Sequence, residues 1–490
     1  MPNNPERWTF PDGRSASRLV CGLWQVADLE KSGTPLDQDA AAADLTEYAR
    51  AGFDTFDMAD HYGTAELITG RMLSQWTDRS QRPIAFTKWC PKPGPMTAEI
   101  VRHGVEERLE RLGVDRVDLL QFHWWTFEHL AWLDALHELK ALREEGLIAE
   151  IGLTNFDAAH LRLALADGIP IATNQVSFSL VDRRAAGELS ELCSERGVKL
   201  LAYGTLCGGF LSERWLGKPE PDALPDWSRS KYKRFIDAAG GWDLFQGLLR
   251  AADAVAKRHG VSIANVATRW VLDYDAVAAV IIGARLGESK HRRDNLRVFD
   301  FALDAADHAL LDAAFAATMS IPGDCGDEYR RPPFLTASGD LTHHLSEVPH
   351  YFAASQVPGR PDRRRVSSGT MWEPIAGYSR AVRVGNLVRV SGTTATDGKG
   401  RAVAPGDPAA QTTFILDKIA AALVALGARL EDVVQTRVYL ADARQWEPVS
   451  RAHGRVFGDI LPANTLIQAG RLIGEYEVEI EAEAFVADLP

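Results

Sequence analysis

The 490-residue sequence predicts an α/β fold in which a closed (β/α)8 TIM barrel is followed by a smaller α+β domain. Over residues 1–325, short β-rich runs alternate with helix-length amphipathic segments. A different pattern, hairpin-like strands with two helices, begins near residue 367. The predicted domains are therefore the barrel at 1–325, a linker at 326–366 and the α+β domain at 367–490.

Eight candidate strands support the barrel, because eight βα units in this length fit a closed barrel better than an open sheet. They are Leu19–Gly22, Phe53–Asp57, Ile84–Lys88, Asp118–His123, Ile148–Thr154, Ile171–Val176, Lys199–Tyr203 and Ala278–Gly283. Helical patterns lie between them, among others Thr97–Leu112, His129–Glu145, Arg184–Arg196 and Ser262–Asp273. The proline-interrupted stretch Gly217–Gly241 predicts a long loop late in the barrel, of the kind that carries substrate contacts.

The predicted linker is rich in Pro, Gly, His and Arg and includes the run PGRPDRRR, which is typical of a solvated segment. Beyond it, a hairpin is predicted at Tyr378–Ser391 around Val384–Asn386. Further strands and helices are predicted at Asp407–Gly427 (helix), Val433–Tyr439 (strand), Trp446–Phe457 (helix), Thr465–Ala469 (strand) and Tyr476–Ala484 (strand). The strict alternation of the last strand indicates a sheet with one face covered by the two helices.

Composition and charge narrow the possible functions. Apolar residues make up 46% and charged residues 25%, as in a globular protein, and the net charge of −13 argues against general nucleic-acid binding. No apolar run is long enough to span a bilayer, and the first residues lack the pattern of a signal peptide. Five scattered cysteines show no metal-ligand spacing. We therefore expect a cytoplasmic protein without disulfides, a metal site or a membrane partner.

Four titratable residues follow predicted barrel strands, at the face where barrel enzymes place their chemistry. They are Asp57, Tyr62, Lys88 and His123. A buried lysine beside a phenol stabilises the phenolate, and an aspartate paired with that lysine keeps it charged and positioned. The tyrosine can then donate a proton to a carbonyl oxygen while a hydride arrives at carbon, and a histidine can orient the carbonyl.

The motifs around these residues resemble the aldo-keto reductase superfamily. The matching segments are GFDTFDMADHYG (52–63), LGVDRVDLLQFH (112–123), IGLTNF (151–156), TNQVSFSL (173–180), LAYGTLCGGFL (201–211) and IIGARLGESKHRRDN (281–295). The resemblance implies that the four residues above are that family's catalytic tetrad. It also implies a nicotinamide cofactor bound by Gly22, Trp24, Asp57, Thr154, Asn155, Gln175, Tyr203, Gly204, Thr205, Leu206, Gly208, Leu211, Gly283, Arg285, Lys290 and Asn295.

The basic residues of the last segment favour NADPH over NADH. Arg285, Lys290, Arg292 and Arg293 crowd a short stretch of an otherwise acidic chain, and a 2′-phosphate needs such donors. No G-x-G-x-x-G fingerprint follows a first strand, so a Rossmann domain is not indicated. Trp24, Trp89 and Trp124 lie next to the strand ends, and we expect them to line a pocket for an apolar or aromatic substrate.

The second domain resembles the reactive intermediate deaminase (Rid, YjgF-like) family, which has a chorismate-mutase-like fold. The matching segments include VGNLVRVSGTTA (384–395), DVVQTRVYL (432–440), HGRVFGDILPANT (453–465) and VEIEAEAFV (478–486). Active members carry an arginine directly after the Pro-Ala pair, where this chain has Asn464. Asparagine cannot make that charged fork, which argues against 2-imino-acid deamination. Glu479 aligns with an acidic family residue, although an alternating strand also explains it.

The resemblances predict an NADPH-dependent reductase of an aldehyde or ketone, with Tyr62 as proton donor and the Rid-like domain as an oligomerisation or ligand-holding module. Rid-type domains imply a homo-oligomer, a trimer or a hexamer. An imine or iminium substrate is an alternative, because Rid-type domains are linked to imine handling. A redox-sensing, cofactor-binding subunit is a further alternative, as is a second domain that hydrolyses substrates without the arginine.

Overall fold

The computed structural model describes residues 5–31, 36–224, 227–284, 286, 290–336 and 348–487. Two residues predicted at the cofactor site are affected by these limits. Arg285 lies outside the described residues, and so does the side chain of Lys290, whose backbone begins a helix.

The first part of the chain alternates strands and helices. Its strands are β1 (Arg7–Thr9), β2 (Ser15–Ser17), β3 (Leu19–Gly22), β4 (Thr55–Asp57), β5 (Ile84–Trp89), β6 (Val117–His123), β7 (Ile148–Thr154), β8 (Ile171–Ser177), β9 (Lys199–Tyr203) and β10 (Val277–Gly283). Its helices are α1 (Trp24–Lys31), α2 (Gln38–Arg50), α3 (Ala65–Gln75), α4 (Ala98–Leu112), α5 (Ala131–Glu144), α6 (Ala158–Ala166), α7 (Glu188–Arg196), α8 (Trp227–Ala238), α9 (Trp242–His259), α10 (Ile263–Leu272), α11 (Lys290–Leu296), α12 (Ala305–Ala316) and α13 (Asp327–Arg330).

Strands β3 to β10 close into an eight-stranded parallel barrel, with β10 paired to both β3 and β9. The predicted barrel is therefore confirmed. The antiparallel pair β1–β2 precedes it and places Trp8 and Phe10 in a buried cluster with Phe86 and Leu119. The same cluster includes Ile84 and Ala278, at the amino ends of β5 and β10, so the hairpin covers the end of the barrel opposite the strand ends that carry the predicted site.

The stretch Gly217–Gly241, predicted as a loop, contains the twelve-residue helix α8. The prolines that interrupt this stretch all precede Trp227, so nothing in the following residues prevents helix formation. Lys231, Tyr232, Phe235 and Ile236 are the buried residues of α8. The correction matters because this helix brings Lys231 to the site described below.

The second part of the chain is an α+β domain. Its elements are strands β11 (Ala354–Val357), β12 (Arg360–Val366), β13 (Ala381–Val384), β14 (Leu387–Thr394), β15 (Val433–Leu440), β16 (Ala463–Gln468) and β17 (Val478–Phe485), and helices α14 (Trp372–Ala376), α15 (Pro408–Ala425) and α16 (Trp446–Phe457). The strands form one seven-stranded sheet in the order β11-β12-β13-β14-β17-β15-β16. Buried and less buried residues alternate along β17, as predicted for a sheet with one covered face.

Strands β11 and β12 fall inside the predicted linker and correct that prediction. Arg363–Val366 of β12 pair with Ala381–Val384 of β13, and β11 extends the sheet beyond β12. The side chains of β12 are mostly exposed, so Arg360, Arg364 and Arg365 remain solvated while the backbone of the strand completes its hydrogen bonds. The polar composition of this segment predicted a linker, but composition carries no information about whether the backbone pairs with a neighbouring strand.

The two domains share an interface between α6 of the barrel and α15 of the second domain. Helix α15 is buried along nearly its whole length, because it lies between its own sheet and the barrel. Asp417 of α15 lies 3.1 Å from His160 Nε2, and Asp407 accepts a hydrogen bond from Arg162 at 2.8 Å. The backbone amide of Ala404 also donates a 2.8 Å hydrogen bond to Asp167 Oδ1.

His160 should make the stability of the chain depend on pH. Burial lowers the pKa of this imidazole, but the carboxylates of Asp157 and Asp417 outweigh burial and raise the pKa to about 9. Between about pH 6.5 and about pH 9 the folded chain keeps a proton that the unfolded chain has lost, so the free energy of unfolding falls by about 1.4 kcal/mol per pH unit. Urea unfolding at the two ends of this range should show a fall on the order of 3 kcal/mol larger than in His160→Gln. Equal falls in the two proteins would contradict this assignment.

All five cysteines are buried and none forms a disulfide. None of the helices in the described part of the chain combines the length and the apolar character needed to cross a membrane.

Candidate active site

An ion pair between Asp57 and Lys88 lies at the centre of the site. The two residues end or nearly end β4 and β5, neighbouring strands whose side chains point into the barrel at its carboxyl end. Lys88 Nζ lies 2.5 Å from Asp57 Oδ2, and each side chain is only 4% exposed. Lys88 also donates to the Met58 carbonyl oxygen at 3.2 Å. A buried pair of this kind is held charged only because each partner compensates the desolvation of the other.

Two glutamine amides complete the bonds to the Asp57 carboxylate. The Nε2 atoms of Gln121 and Gln175 each donate to Asp57 Oδ1 at 2.8 Å, and Gln175 Nε2 also lies 2.7 Å from Gln121 Oε1. Gly152 of β7 makes room for this bridge, since a Cβ there would lie 3.1 Å from Gln121 Cγ and 2.5 Å from Thr173 Oγ1. Gln121 is not among the site residues predicted from the sequence. Its signal is its place two residues before His123, on the same face of β6.

Tyr62 follows β4 and stands beside this network. Its ring centroid lies 5.1 Å from Lys88 Nζ, and its ring meets that of Trp24 edge-on at 5.0 Å. The ammonium therefore faces the phenol at a distance where it favours the phenolate that forms when a proton leaves. Tyr62 and Trp24 are only partly buried, so both remain accessible to a small molecule.

His123 ends β6 and is fully inside the site. Burial lowers the pKa of this imidazole far below its usual range, and the nearby positive charges of Arg330, Lys88 and Lys231 lower it further. The ring is consequently neutral at pH 7. A neutral imidazole can hydrogen-bond a carbonyl oxygen, but it does not serve as the acid, which leaves that role to Tyr62.

Asn155 is held in a left-handed conformation with φ of 59° directly after β7. Its Nδ2 lies 3.5 Å from His123 Nε2, and its Oδ1 accepts a 2.8 Å hydrogen bond from the Tyr203 hydroxyl. Burial raises the pKa of Tyr203 well above its usual range, which keeps this hydroxyl a donor. The predicted residues Asn155, Gln175 and Tyr203 are thus brought to one face with the tetrad.

Residues 324–331, which we call the strap, cross this face. The Glu328 carboxylate lies 3.2 Å from the Tyr203 hydroxyl and pairs with Arg184 at 2.9 Å. The Tyr329 ring meets His123 edge-on at 5.3 Å, and its hydroxyl accepts a 2.7 Å hydrogen bond from Lys231 Nζ. The strap falls mostly in the predicted linker, and Lys231 falls in the predicted loop. No local periodicity could have found them, because their placement depends on contacts distant in sequence.

Gly326→Ala should displace the strap. Gly326 has φ of 90°, and a Cβ there would lie 2.2 Å from the Asn155 carbonyl oxygen, a backbone atom that cannot move aside. We expect a loss of about 1–3 kcal/mol in the free energy of unfolding, since the substitution adds a strained conformation to a steric clash. Gly241→Ala is the matched control, because Gly241 has nearly the same φ, 92°, and a Cβ there would have no neighbour within 4 Å. Equal losses in both variants, measured by urea unfolding, would contradict the clash.

The segment after β9 is shaped to approach a ligand through its backbone. Gly204, Cys207, Gly208 and Gly209 all have positive φ. At Gly204 a Cβ would lie 2.5 Å from the Tyr232 hydroxyl, so this turn needs glycine. Other predicted members of this segment are packed inward: Thr205 donates to the Phe178 carbonyl at 3.0 Å, Leu211 is fully buried and Leu206 is partly buried.

Two orphaned polar atoms fit a nicotinamide cofactor at these strand ends. Thr154 Oγ1 is buried and has no hydrogen-bond partner among the described residues, and the same is true of Gln25 Oε1. Thr154 shares the inward face of β7 with Gly152, next to Gln175 of β8 in the register. Gln25 lies beside the predicted cofactor residue Gly283, and Gly22 is the partner of Gly283 in the sheet. Buried polar groups usually find partners, so these two atoms fit a ligand that would supply a partner to each of them.

The predicted phosphate site lies on and before α11. The Arg292 guanidinium covers the Tyr48 ring at 4.9 Å and approaches Glu47 at 3.5 Å, whereas Arg293 is exposed. Asn295 is partly buried on the same helix. Gly283, at the carboxyl end of β10, is exposed.

The structure corrects two of the three predicted pocket tryptophans. Trp89 packs outward, where a Cβ on Gly104 of α4 would meet its ring at 2.5 Å. Trp124 is fully buried and donates to the His129 carbonyl at 3.0 Å. Adjacent residues of a strand point to opposite sides, so the neighbours of Lys88 and His123 face the helices. Trp125 contacts the site instead, with its ring 4.3 Å from that of His123.

Asp60, His61 and Cys90 lie next to Tyr62 and bring one potential metal ligand atom each to within 4.8 Å of the others. The Asp60 carboxylate is already engaged, by His61 Nδ1 at 2.8 Å and by the Cys90 amide at 2.7 Å. The predicted absence of a metal site stays a prediction.

In the second domain, Asn464 and Glu479 are separated. Asn464 donates to Thr436 Oγ1 at 2.9 Å, and in the sheet Asn464 of β16 is the register partner of Thr436 of β15. Glu479 of β17 is the register partner of Tyr439, on the opposite edge of β15. Those register positions are three residues apart along β15, which is roughly 10 Å. Burial raises the pKa of Glu479. Within one chain these two residues do not form a joint site.

The barrel brings Asp57, Tyr62, Lys88 and His123 together at strand ends lined by amides. This arrangement defines a class, the barrel oxidoreductases that use a nicotinamide. Residues 18–316 match the Aldo/keto reductase family, and the chain belongs to that family, whose members use nicotinamide cofactors. Residues 369–486 match the family described as Endoribonuclease L-PSP, so the second domain is Rid-like. Both resemblances found in the sequence are thereby confirmed.

Individual relatives match one part of the chain. The flagellar radial spoke protein 5 of Chlamydomonas reinhardtii is 36% identical over 180 residues, which is 32% of this chain and 33% of that protein, so the match spans about a third of it. The NADH-specific methylglyoxal reductase of Escherichia coli (strain K12) is 25% identical over 323 residues, 60% of this chain and 93% of that protein. The solved glycerol dehydrogenase of Gluconobacter oxydans, at 22% identity and a TM-score of 0.53, covers 65% of this chain and 97% of its own and shows the fold.

Proposed function

We propose that the protein is an NADPH-dependent reductase of aldehydes or ketones, with Tyr62 as the proton donor. The observation that carries this proposal is the buried Asp57–Lys88 pair facing the Tyr62 ring. An ammonium fixed in this way stabilises the phenolate left behind after proton transfer, and the fixed geometry requires no reorganisation during the step.

The described residues divide the work of the reaction. Asp57, held by Gln121 and Gln175, keeps Lys88 charged and in place. Tyr62 donates its proton to the substrate oxygen, and neutral His123 donates a hydrogen bond that orients the carbonyl. Asn155, Gln175 and Thr154 would hold the carboxamide end of the cofactor, which supplies the hydride when bound. Trp24 and Trp125, on either side, exclude water.

NADPH is proposed over NADH because Arg292 and Arg293 offer positive charge at the predicted phosphate site. Replacing either by alanine should raise the KM for NADPH about 10-fold or more, since a charge-assisted hydrogen bond contributes about 1.5–3 kcal/mol. The KM for NADH should stay unchanged, because NADH has no 2′-phosphate. Arg297→Ala is the matched control, as Arg297 donates to the Gly260 carbonyl instead. A parallel rise for both cofactors, measured by initial rates, would contradict the assignment.

An imine or iminium substrate is the second candidate, favoured by the Rid-like domain in the same chain. An imine that enters already protonated needs no acid as strong as the Tyr62–Lys88 pair provides. Such a substrate would therefore be reduced by a route that depends less on Tyr62.

The test is NADPH oxidation by the full chain across matched aldehydes, ketones and cyclic imines. Turnover of carbonyls without turnover of imines supports the first candidate, and turnover of imines supports the second. NADPH binding without turnover of any of these compounds would overturn both and favour a cofactor-binding sensor. Ammonia release from enamines by the full chain, absent without enzyme, would overturn the assignment of a non-hydrolytic second domain.

We also propose that the Rid-like domain joins copies of the chain into a trimer or a hexamer. Strand β16 ends the sheet with mostly exposed side chains, and Ile467 and Leu461 near it are 50% and 79% exposed. Exposed apolar groups at an unpaired sheet edge favour association with another chain. Light scattering should give three or six times the mass of one chain, and the mass of a single chain would contradict the proposal.

A further inference from the structure

The second domain contacts the first residue of the strap. Arg455 of α16 reaches across the interface, and its Nη1 lies 2.6 Å from Asp324 Oδ2; it also pairs with Glu188 of α7. Asp324 is fixed from the barrel side as well, because its carbonyl oxygen accepts a 2.7 Å hydrogen bond from Arg184. Through this ion pair, Arg455 connects the second domain to the segment that carries Glu328 and Tyr329.

A second contact begins at Asp417 of α15. Its carboxylate bonds to His160 Nε2 at 3.1 Å, while Asp157, the N-cap of α6, bonds to Nδ1 at 2.7 Å. The imidazole stacks on the Phe127 ring with a centroid distance of 3.4 Å and an angle of 8°. His160 is thus bonded to one carboxylate of each domain and stacked on an aromatic ring of the barrel. We call this arrangement of Asp157, His160 and Asp417 the clamp.

The Phe127 ring connects this clamp to the strap. The Arg330 guanidinium covers Phe127 at 4.3 Å, and its Nη2 donates to the carbonyl oxygens of Asn155 at 2.7 Å and Trp124 at 3.1 Å. Its Nε and Nη1 are buried without a hydrogen-bond partner among the described residues. The position of Arg330, and with it the backbone of Asn155, therefore depends on the ring that His160 supports.

We propose that the second domain is a positioning element of the reductase site, which it sets through Arg455 on Asp324 and through Asp417 on His160. This inference rests on the proposed reductase function and explains the fusion without a shared substrate. His160, Asp417 and Arg455 touch no reacting atom in this account. They set the place of the strap, which in turn contacts His123, Asn155 and Tyr203.

The interface offers a control pair that does not reach the strap. Arg162 of α6 donates to Asp407 of the second domain at 2.8 Å, and no contact of this pair with the strap is seen among the described residues. Arg162→Gln removes an interdomain ion pair of similar geometry. It therefore separates a general loss of domain contact from a loss of strap placement.

The experiment compares Arg455→Gln, Asp417→Asn and Arg162→Gln in the full chain. We expect a fall of 10-fold or more in kcat/KM, for an aldehyde that the chain reduces, in the first two variants. Arg162→Gln should stay near wild type both in kcat/KM and in the Kd for NADPH. The conservative change Arg455→Lys should restore most of the loss, since it keeps a cation near Asp324. A kcat/KM near that of Arg162→Gln in both test variants would overturn the proposal.

Hydrogen exchange of the peptide covering residues 324–331 provides a readout that does not require turnover. Exchange should become at least 10-fold faster in Arg455→Gln and Asp417→Asn than in Arg162→Gln. If the chain reduces no substrate, the proposed function fails, but faster exchange in the two test variants would still support the positioning role. Unchanged exchange in the two test variants would overturn the positioning role even if the chain is an active reductase.

Discussion

Tyr62→Phe should lower kcat for aldehyde reduction by about 10²- to 10⁴-fold, the range that a positioned general acid contributes. The substitution removes the hydroxyl of the ring that the Lys88 ammonium faces, and His123 cannot replace it because burial keeps that imidazole neutral. The Kd for NADPH should stay near its wild-type value, since the ring and its packing against Trp24 are preserved.

Trp24→Phe is the matched control for this variant, because it alters the same edge-on ring pair and leaves the phenol in place. It should retain kcat to within about 10-fold. An aldehyde kcat in Tyr62→Phe equal to that of Trp24→Phe would contradict the role of Tyr62. Imine reduction that survives in Tyr62→Phe would instead identify the second candidate function.

Asp57→Asn should produce the largest loss of stability of any single substitution at the site. The change removes the only carboxylate bonded to Lys88 among the described residues and leaves a buried ammonium, which costs about 3–5 kcal/mol of unfolding free energy. Activity should fall with it, because the lysine is no longer held near Tyr62. Urea unfolding and initial rates measure the two effects separately.

The double variant Asp57→Asn/Lys88→Met distinguishes charge from packing. Without the ammonium no uncompensated charge remains, so the double variant should regain much of the lost stability. It should not regain activity, since nothing then stabilises the phenolate of Tyr62. Equal stability of the single and double variants would contradict the account of the pair.

The tetrad could be predicted from the sequence because its titratable side chains lie at or just after the ends of strands that the sequence also predicts. Asp57, Lys88 and His123 end or nearly end parallel strands, and the carboxyl ends of such strands meet at one face. The tryptophans could not be assigned in the same way. Trp89 and Trp124 are neighbours of site residues along the chain, but the alternation of a strand turns them outward.

The strap shows a different limit of the sequence. Glu328 and Tyr329 reach the site because Gly326 permits a close approach to Asn155 and because Arg184 and Lys231 hold them there. None of these partners is near in sequence, and a four-residue helix such as α13 has no periodicity to detect. Long-range packing of this kind determines the pocket above the tetrad, and it leaves no local pattern.

The measurement that tests the central claim most directly follows the hydride. Full-length protein is supplied with an aldehyde and NADPH that carries deuterium in turn on each face of C4, and the alcohol is analysed by mass spectrometry. The account predicts one deuterium on the former carbonyl carbon from one of the two labelled cofactors, and none from the other. Alcohol without deuterium from either cofactor, or no alcohol from any aldehyde tested, would contradict a reductase that uses this barrel.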